Sequence, residues 1–119
     1  MRAHDRQLAA IAAPAPKEAL GIQDQIIDAV MARSIHADAV RTHPLAAWVI
    51  VRDQIDYPGD LVARLVTDQL TPYVLLADTL AELHVQLPLG LVRSERQPFD
   101  PPETVETWDD VSWLARPHT

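Results

Sequence analysis

The run Leu45-Ala-Ala-Trp-Val-Ile-Val-Arg52, followed by Asp53-Gln-Ile-Asp-Tyr-Pro-Gly-Asp60 and Leu61-Val-Ala-Arg-Leu-Val-Thr67, decides the fold class. Leu45 to Arg52 is short, rich in β-branched residues and bounded by turn formers, which marks a strand covered on both faces and central in its sheet. Pro58 and Gly59 suit the two middle positions of a type II turn, because proline presets φ and glycine supplies a positive φ. The chain reverses there, and Leu61 to Thr67 forms a second strand. If Asp53 faces Asp60, Trp48 lies opposite Leu65 and Val49 opposite Arg64.

Working toward the C-terminus, Asp68-Gln-Leu-Thr-Pro72 is a second connection and Tyr73-Val-Leu-Leu-Ala77 a third strand, which completes an antiparallel meander. Thr79 with Glu82 three residues on is a capping box, so a helix runs from Leu80 until Pro88 stops it, burying Leu80, Leu83 and Leu87. Leu91 to Arg96 reads as a fourth strand. Thr104 to Trp108 reads as a fifth, at an edge, after the loop spanning Pro98 to Pro102. Toward the N-terminus, Ile22, Ile26, Ala29 and Val30 align at helical spacing, widened by Ile27 and Met31, and predict an amphipathic helix over Lys17 to Arg33. The alanine-rich residues 1–16 read as a flexible arm ending in Pro14-Ala15-Pro16. The expected class is α+β, in the order α-β-β-β-α-β-β with the helices on one sheet face: one domain over residues 17–115 and a tail over 116–119.

Composition narrows the function classes. The chain has 119 residues, 48% apolar and 23% charged, which places it among globular domains. No cysteine is present, so disulfide scaffolds, Cys-ligated metal centres and thiol nucleophiles are excluded. A net charge of −7 attracts neither nucleic acid nor anionic membranes, and a basic protein is the natural partner. The longest apolar run, Leu45 to Val51, is far below the roughly 20 residues that span a bilayer. The run from Leu8 to Ala13, about six residues, is shorter than a signal-peptide core, so a cytoplasmic location is expected.

Catalytic signatures are missing: there is no Gly-x-Ser-x-Gly, no phosphate-binding glycine loop, no His-Glu-x-x-His and no EF-hand pattern, and no cofactor is expected. His36, Asp38 and His43 are metal-ligand types close in sequence, but their spacing fits no known template, and a polar joint between helix and first strand is the more economical reading. His84 borders the apolar stripe of the second helix, as a buried base or a packed histidine. Arg64, Tyr73 and Arg93 fall on predicted strands and, if they converge, form a fork for a carboxylate or phosphate, the basis of an alternative reading as a small anion-binding protein or enzyme. From Pro98 to Ala115 the chain carries Asp100, Glu103, Glu106, Asp109 and Asp110 with no lysine or arginine, interleaved with Phe99, Trp108 and Trp113. This acidic aromatic stretch predicts a partner-binding surface built on Glu106, Trp108, Asp109, Asp110 and Trp113. An edge strand near Val105 offers a route to a homodimer.

Three strands followed by a capped helix, carried by Trp48-Val-Ile-Val-Arg52, Leu61-Val-Ala-Arg-Leu-Val-Thr67 and Ala77-Asp-Thr-Leu-Ala-Glu-Leu83, resemble the N-terminal part of HicB-type antitoxins over about Leu45 to Leu87. The expected function is a non-enzymatic module that binds another protein, such as a basic toxin, nuclease or regulator, through the acidic aromatic C-terminal stretch or an open sheet edge. The DNA-binding module that many such antitoxins carry does not follow in this chain, so autoregulation on DNA is not part of the expectation. The stretch from Trp48 through Tyr57-Pro-Gly59 to Pro72-Tyr-Val-Leu-Leu-Ala-Asp78 is also similar to short proteins of alphaproteobacteria, which implies a bacterial setting and no particular activity.

Overall fold

The computed structural model describes residues 23–112. The expected N-terminal arm, the start of the expected first helix, Trp113 and the C-terminal tail lie outside them. Eight elements follow in order: β1 (Gln25–Ile26), α1 (Ala29–Thr42), β2 (Ala47–Val51), β3 (Leu61–Val66), β4 (Leu70–Ala77), α2 (Leu80–Gln86), β5 (Val92–Glu95) and β6 (Thr104–Asp109). The six strands form one mixed sheet in the order β1-β4-β3-β2-β6-β5, so the protein is α+β.

Three consecutive antiparallel strands are present as expected, but β4 begins at Leu70, within the stretch read as the second connection, and they are part of a larger mixed sheet. Trp48 pairs with Leu65 and Val49 with Arg64 across β2 and β3. The reversal carries Gly59 at φ 82 and a bond from the Asp60 amide to the Tyr57 carbonyl of 3.1 Å, both features of the type II turn. Strand β2 is central, with β3 on one side and β6 on the other. It alternates fully buried Trp48 and Ile50 with half-buried Ala47, Val49 and Val51, so one face is closed completely and the other only in part.

Two expectations are corrected. Gln25 and Ile26 do not lie in a helix: they pair in parallel with Tyr73 and Val74 of β4, and α1 starts only after Asp28, whose carboxylate accepts the Met31 amide at 2.8 Å. The helix then runs through His36 and Asp38, where a loop was expected, and stops at His43 because Pro44 disfavours helical dihedrals in the residue before it. Its buried stripe is Ala32, His36 and Ala39, which small side chains and a histidine hide from a search for large apolar residues. The second correction concerns β6, which is interior, flanked by β2 and β5. Thr104 and Glu106 pair with Val51 and Ile50 of β2, and Val105 is the bulged residue between them, so β6 is not an edge strand.

Both helices lie on one sheet face. Ala32 and Ala39 of α1, Leu83 of α2 and Leu87 after it share a core with Trp48, Ile50, Ala63, Leu65, Leu75 and Ala77. The Thr79 hydroxyl caps α2 by accepting the Glu82 amide at 3.2 Å, and Gln86 ties the helix to β4 through the Leu76 carbonyl at 3.1 Å. On the opposite face Tyr57, Val62 and Val74 form a smaller core.

Candidate functional site

Because side chains alternate across a strand, the sheet sorts the charged residues into two groups. Arg93 pairs with Trp108 and Glu95 with Glu106, on the face that also carries Trp48 and Ile50; Arg64, opposite Val49, faces the other way.

The first group centres on Glu106, which is 5% exposed. Its Oε1 accepts the Trp108 indole N–H at 2.9 Å and forms a very short bond with His84 Nε2, while its Oε2 accepts from Arg93 at 3.3 Å. The His84 ring stands edge-on to Trp108 at 5.1 Å between centroids. Burial pushes the Glu106 pKa up, but the hydrogen bonds from Trp108, His84 and Arg93 and the electrostatic pull of His84 outweigh it and hold the carboxyl below its ordinary value of 4.5. A carboxylate saturated by three donors is an internal tie between α2, β5 and β6.

A chain of three groups extends from the main core toward the end of β6. Trp48 donates its indole N–H to His36 Nδ1 at 3.0 Å, which places the ring proton on Nε2 and points it at Asp110, 2.7 Å away. Burial raises the Asp110 pKa, and hydrogen bonds from the Ser112 hydroxyl and amide and from His36 reverse this, leaving it below 3.8.

The second group lies on the sheet face away from the helices. Asp24 meets Arg64 through two contacts of 2.7 and 3.0 Å and accepts the Tyr57 hydroxyl at 2.7 Å, with Arg64 and Asp24 side chains only 16% and 7% exposed. The bidentate fork joins the segment before β1 to β3 and to the β2–β3 loop.

The residues singled out from the sequence separate accordingly. Arg64 lies on one face, and Tyr73 and Arg93 belong to the other, on β4 and β5, with β3, β2 and β6 between them. The three do not converge on one anion. His36 is buried against Trp48, Asp38 pairs with Arg41 at 2.8 Å on the exposed side of α1, and His43 meets Asp68 at 2.6 Å, so these three do not converge either. Among the described residues no group of three or more metal-ligating side chains is assembled. Of the expected partner surface, Glu106 is internal, Trp108 is half-buried and Asp110 is held by His36; Asp109 is half-buried beside Ser94, and Trp113 lies outside the described residues.

What the fold gathers at one end of the sheet is a different acidic group. The register Val51–Thr104 and the bond from the Arg52 amide to the Glu103 carbonyl, 3.0 Å, bring loop 52–60 beside loop 96–103, and Leu61–Ala77 puts Asp78 at the same end. Asp53, Asp56, Asp78, Glu95, Asp100 and Glu103 gather there, with Arg52 and Arg96 as the cations of these segments. Ile55 and Phe99 stand out of this rim, 60% and 84% exposed. Sequence pattern does not reveal this because it joins loops 52–60 and 96–103, far apart in the chain, and only strand pairing makes them neighbours.

Among the described residues, fold and site define an α+β domain with two helices, a mixed six-stranded sheet and an acidic, apolar-studded end. Comparison with protein-family models, curated proteins and solved structures finds no match to the chain. No helix among the described residues is long and apolar enough to cross a membrane.

Proposed function

We propose that this protein is a non-enzymatic protein-binding module that docks on a basic partner through the acidic end of its sheet. The observation that carries the reading is the exposure of Ile55 and Phe99 on two loops that strand pairing brings to the same acidic end of the sheet: exposed apolar side chains among charged ones are the anatomy of an interaction surface. The reading keeps the acidic aromatic character expected from the sequence and moves its centre from Trp108 to Phe99. The resemblance to HicB-type antitoxins supports a basic toxin, nuclease or regulator as the partner. The anion-site alternative loses its support, since its three side chains lie apart.

The test is affinity capture from native lysate with wild type and with the Ile55→Ser/Phe99→Ser variant, both checked for folding by circular dichroism. Wild type should retain a basic protein that survives nuclease treatment and is released as salt rises, because exposed charges are screened. The variant should lose it by tenfold or more. Equal capture by both proteins would remove this surface from consideration.

A further inference from the structure

We infer that the free edge of β5 is a self-association interface at which two copies of the chain join their sheets. The inference goes beyond the proposed partner surface and does not depend on it, although the two share Glu95, so partner capture is read on the wild type and not on Glu95→Arg. All four residues of β5 are exposed, and no strand lies on its outer side among the described residues. An open edge presents unpaired backbone donors and acceptors as a template for another strand.

The second copy is selected by symmetry and charge. In an antiparallel pair about a two-fold axis perpendicular to the sheet, both copies keep their helices on the same side, and each residue faces one of the same strand parity. The pairing must then be centred on a residue. Centred on Arg93, it sets two guanidiniums face to face; centred on Glu95, two carboxylates; centred on Val92, it leaves Arg93, Ser94 and Glu95 opposite residues outside the strand. Centred on Ser94, it places each Arg93 opposite the other copy's Glu95 and Ser94 opposite its symmetry mate, so two opposite-charge pairs flank the axis. Glu95 is 81% exposed and its contact with Arg93 within one chain is loose at 3.9 Å, while Arg93, 49% exposed, donates to Glu106 through Nη1 and keeps Nη2 for a carboxylate across the axis. The net charge of −7 opposes association at long range but is screened beyond about 8 Å at physiological ionic strength, whereas the cross-strand pairs are in contact.

The chain has no cysteine, which gives the test a clean reporter. Opposite residues in an antiparallel ladder have Cα atoms about 4.5–5.5 Å apart, within the disulfide range. Light scattering of the wild type should give twice the chain mass. Ser94→Cys should form a covalent dimer under mild oxidation, whereas Glu95→Cys, which faces Arg93, should cross-link at least tenfold more slowly. Glu95→Arg, an exposed substitution that leaves the fold intact by circular dichroism, should shift the protein to monomer. A monomeric wild type, a Glu95→Arg protein that stays dimeric, or faster cross-linking through position 95 than through 94 would each overturn the inference. A monomer that still captures a basic protein would leave the proposed function standing.

Discussion

Replacing Asp24 with alanine is expected to destabilise the fold by about 3 kcal/mol, the usual cost of removing one partner from a buried ion pair. The guanidinium of Arg64 would stay in a largely enclosed position without the carboxylate that meets both of its nitrogens, and the Tyr57 hydroxyl would lose its acceptor. The Thr71 carbonyl, 3.1 Å from Arg64 Nη1, supplies a dipole where a full charge is needed. The consequence reaches β1, since a parallel pairing of two residues is too short to hold itself. Urea denaturation should show the lost stability. Amide exchange should accelerate at Ile27, whose N–H bonds the Val74 carbonyl at 2.9 Å, more than in the centre of β3. Removing both charges with Asp24→Leu/Arg64→Met should recover part of the loss, because the Arg64 charge is then removed together with its carboxylate. An unchanged urea midpoint for Asp24→Ala would show that the fork is ornamental.

Glu106→Ala is expected to cost a similar amount, about 3 kcal/mol, since a buried carboxylate with three donors disappears from the junction of α2, β5 and β6. Glu106→Gln keeps the volume but turns a donor toward groups that need an acceptor, and should cost roughly half as much. The same residue sets the acid limit. Glu106 and Asp110 both have folded-state pKa values below their ordinary 4.5 and 3.8, so the folded state binds protons less readily than the unfolded chain. Their contribution is fully present above those values and is lost as pH falls through the lower, folded ones. Thermal midpoints should hold steady from pH 7 to about pH 5 and fall below about pH 4, with a shallower fall in Glu106→Gln. A Glu106→Gln protein with the acid profile of wild type would assign the acid limit to other carboxylates.

How much of this was legible in the chain depends on the range of the interaction. The β2–β3 register and the α2 cap follow from residues within a few positions of one another, so Pro58-Gly59 and Thr79-Glu82 announce them. Helix α1 was misplaced because its buried stripe of Ala32, His36 and Ala39 carries little apolar bulk, while Ile26 and Ile27, which do, are drawn out of the helix by pairing with β4. The acidic stretch after Pro98 was visible as composition. Its division into an internal Glu106 and an outward Phe99 was not, because strand alternation assigns faces only once the neighbouring strands are known.

By itself the sequence determined the α+β class, the β2–β3 hairpin with its register, the second helix and the acidic character of the chain, since each rests on local dihedral preference, short-range periodicity or total charge. The tertiary structure alone decided that β6 is interior and β5 outermost among the described strands, that Asp24 neutralises Arg64, and that loops 52–60 and 96–103 form one acidic end. These depend on which strands lie side by side, and that choice is made by the packing of the whole core.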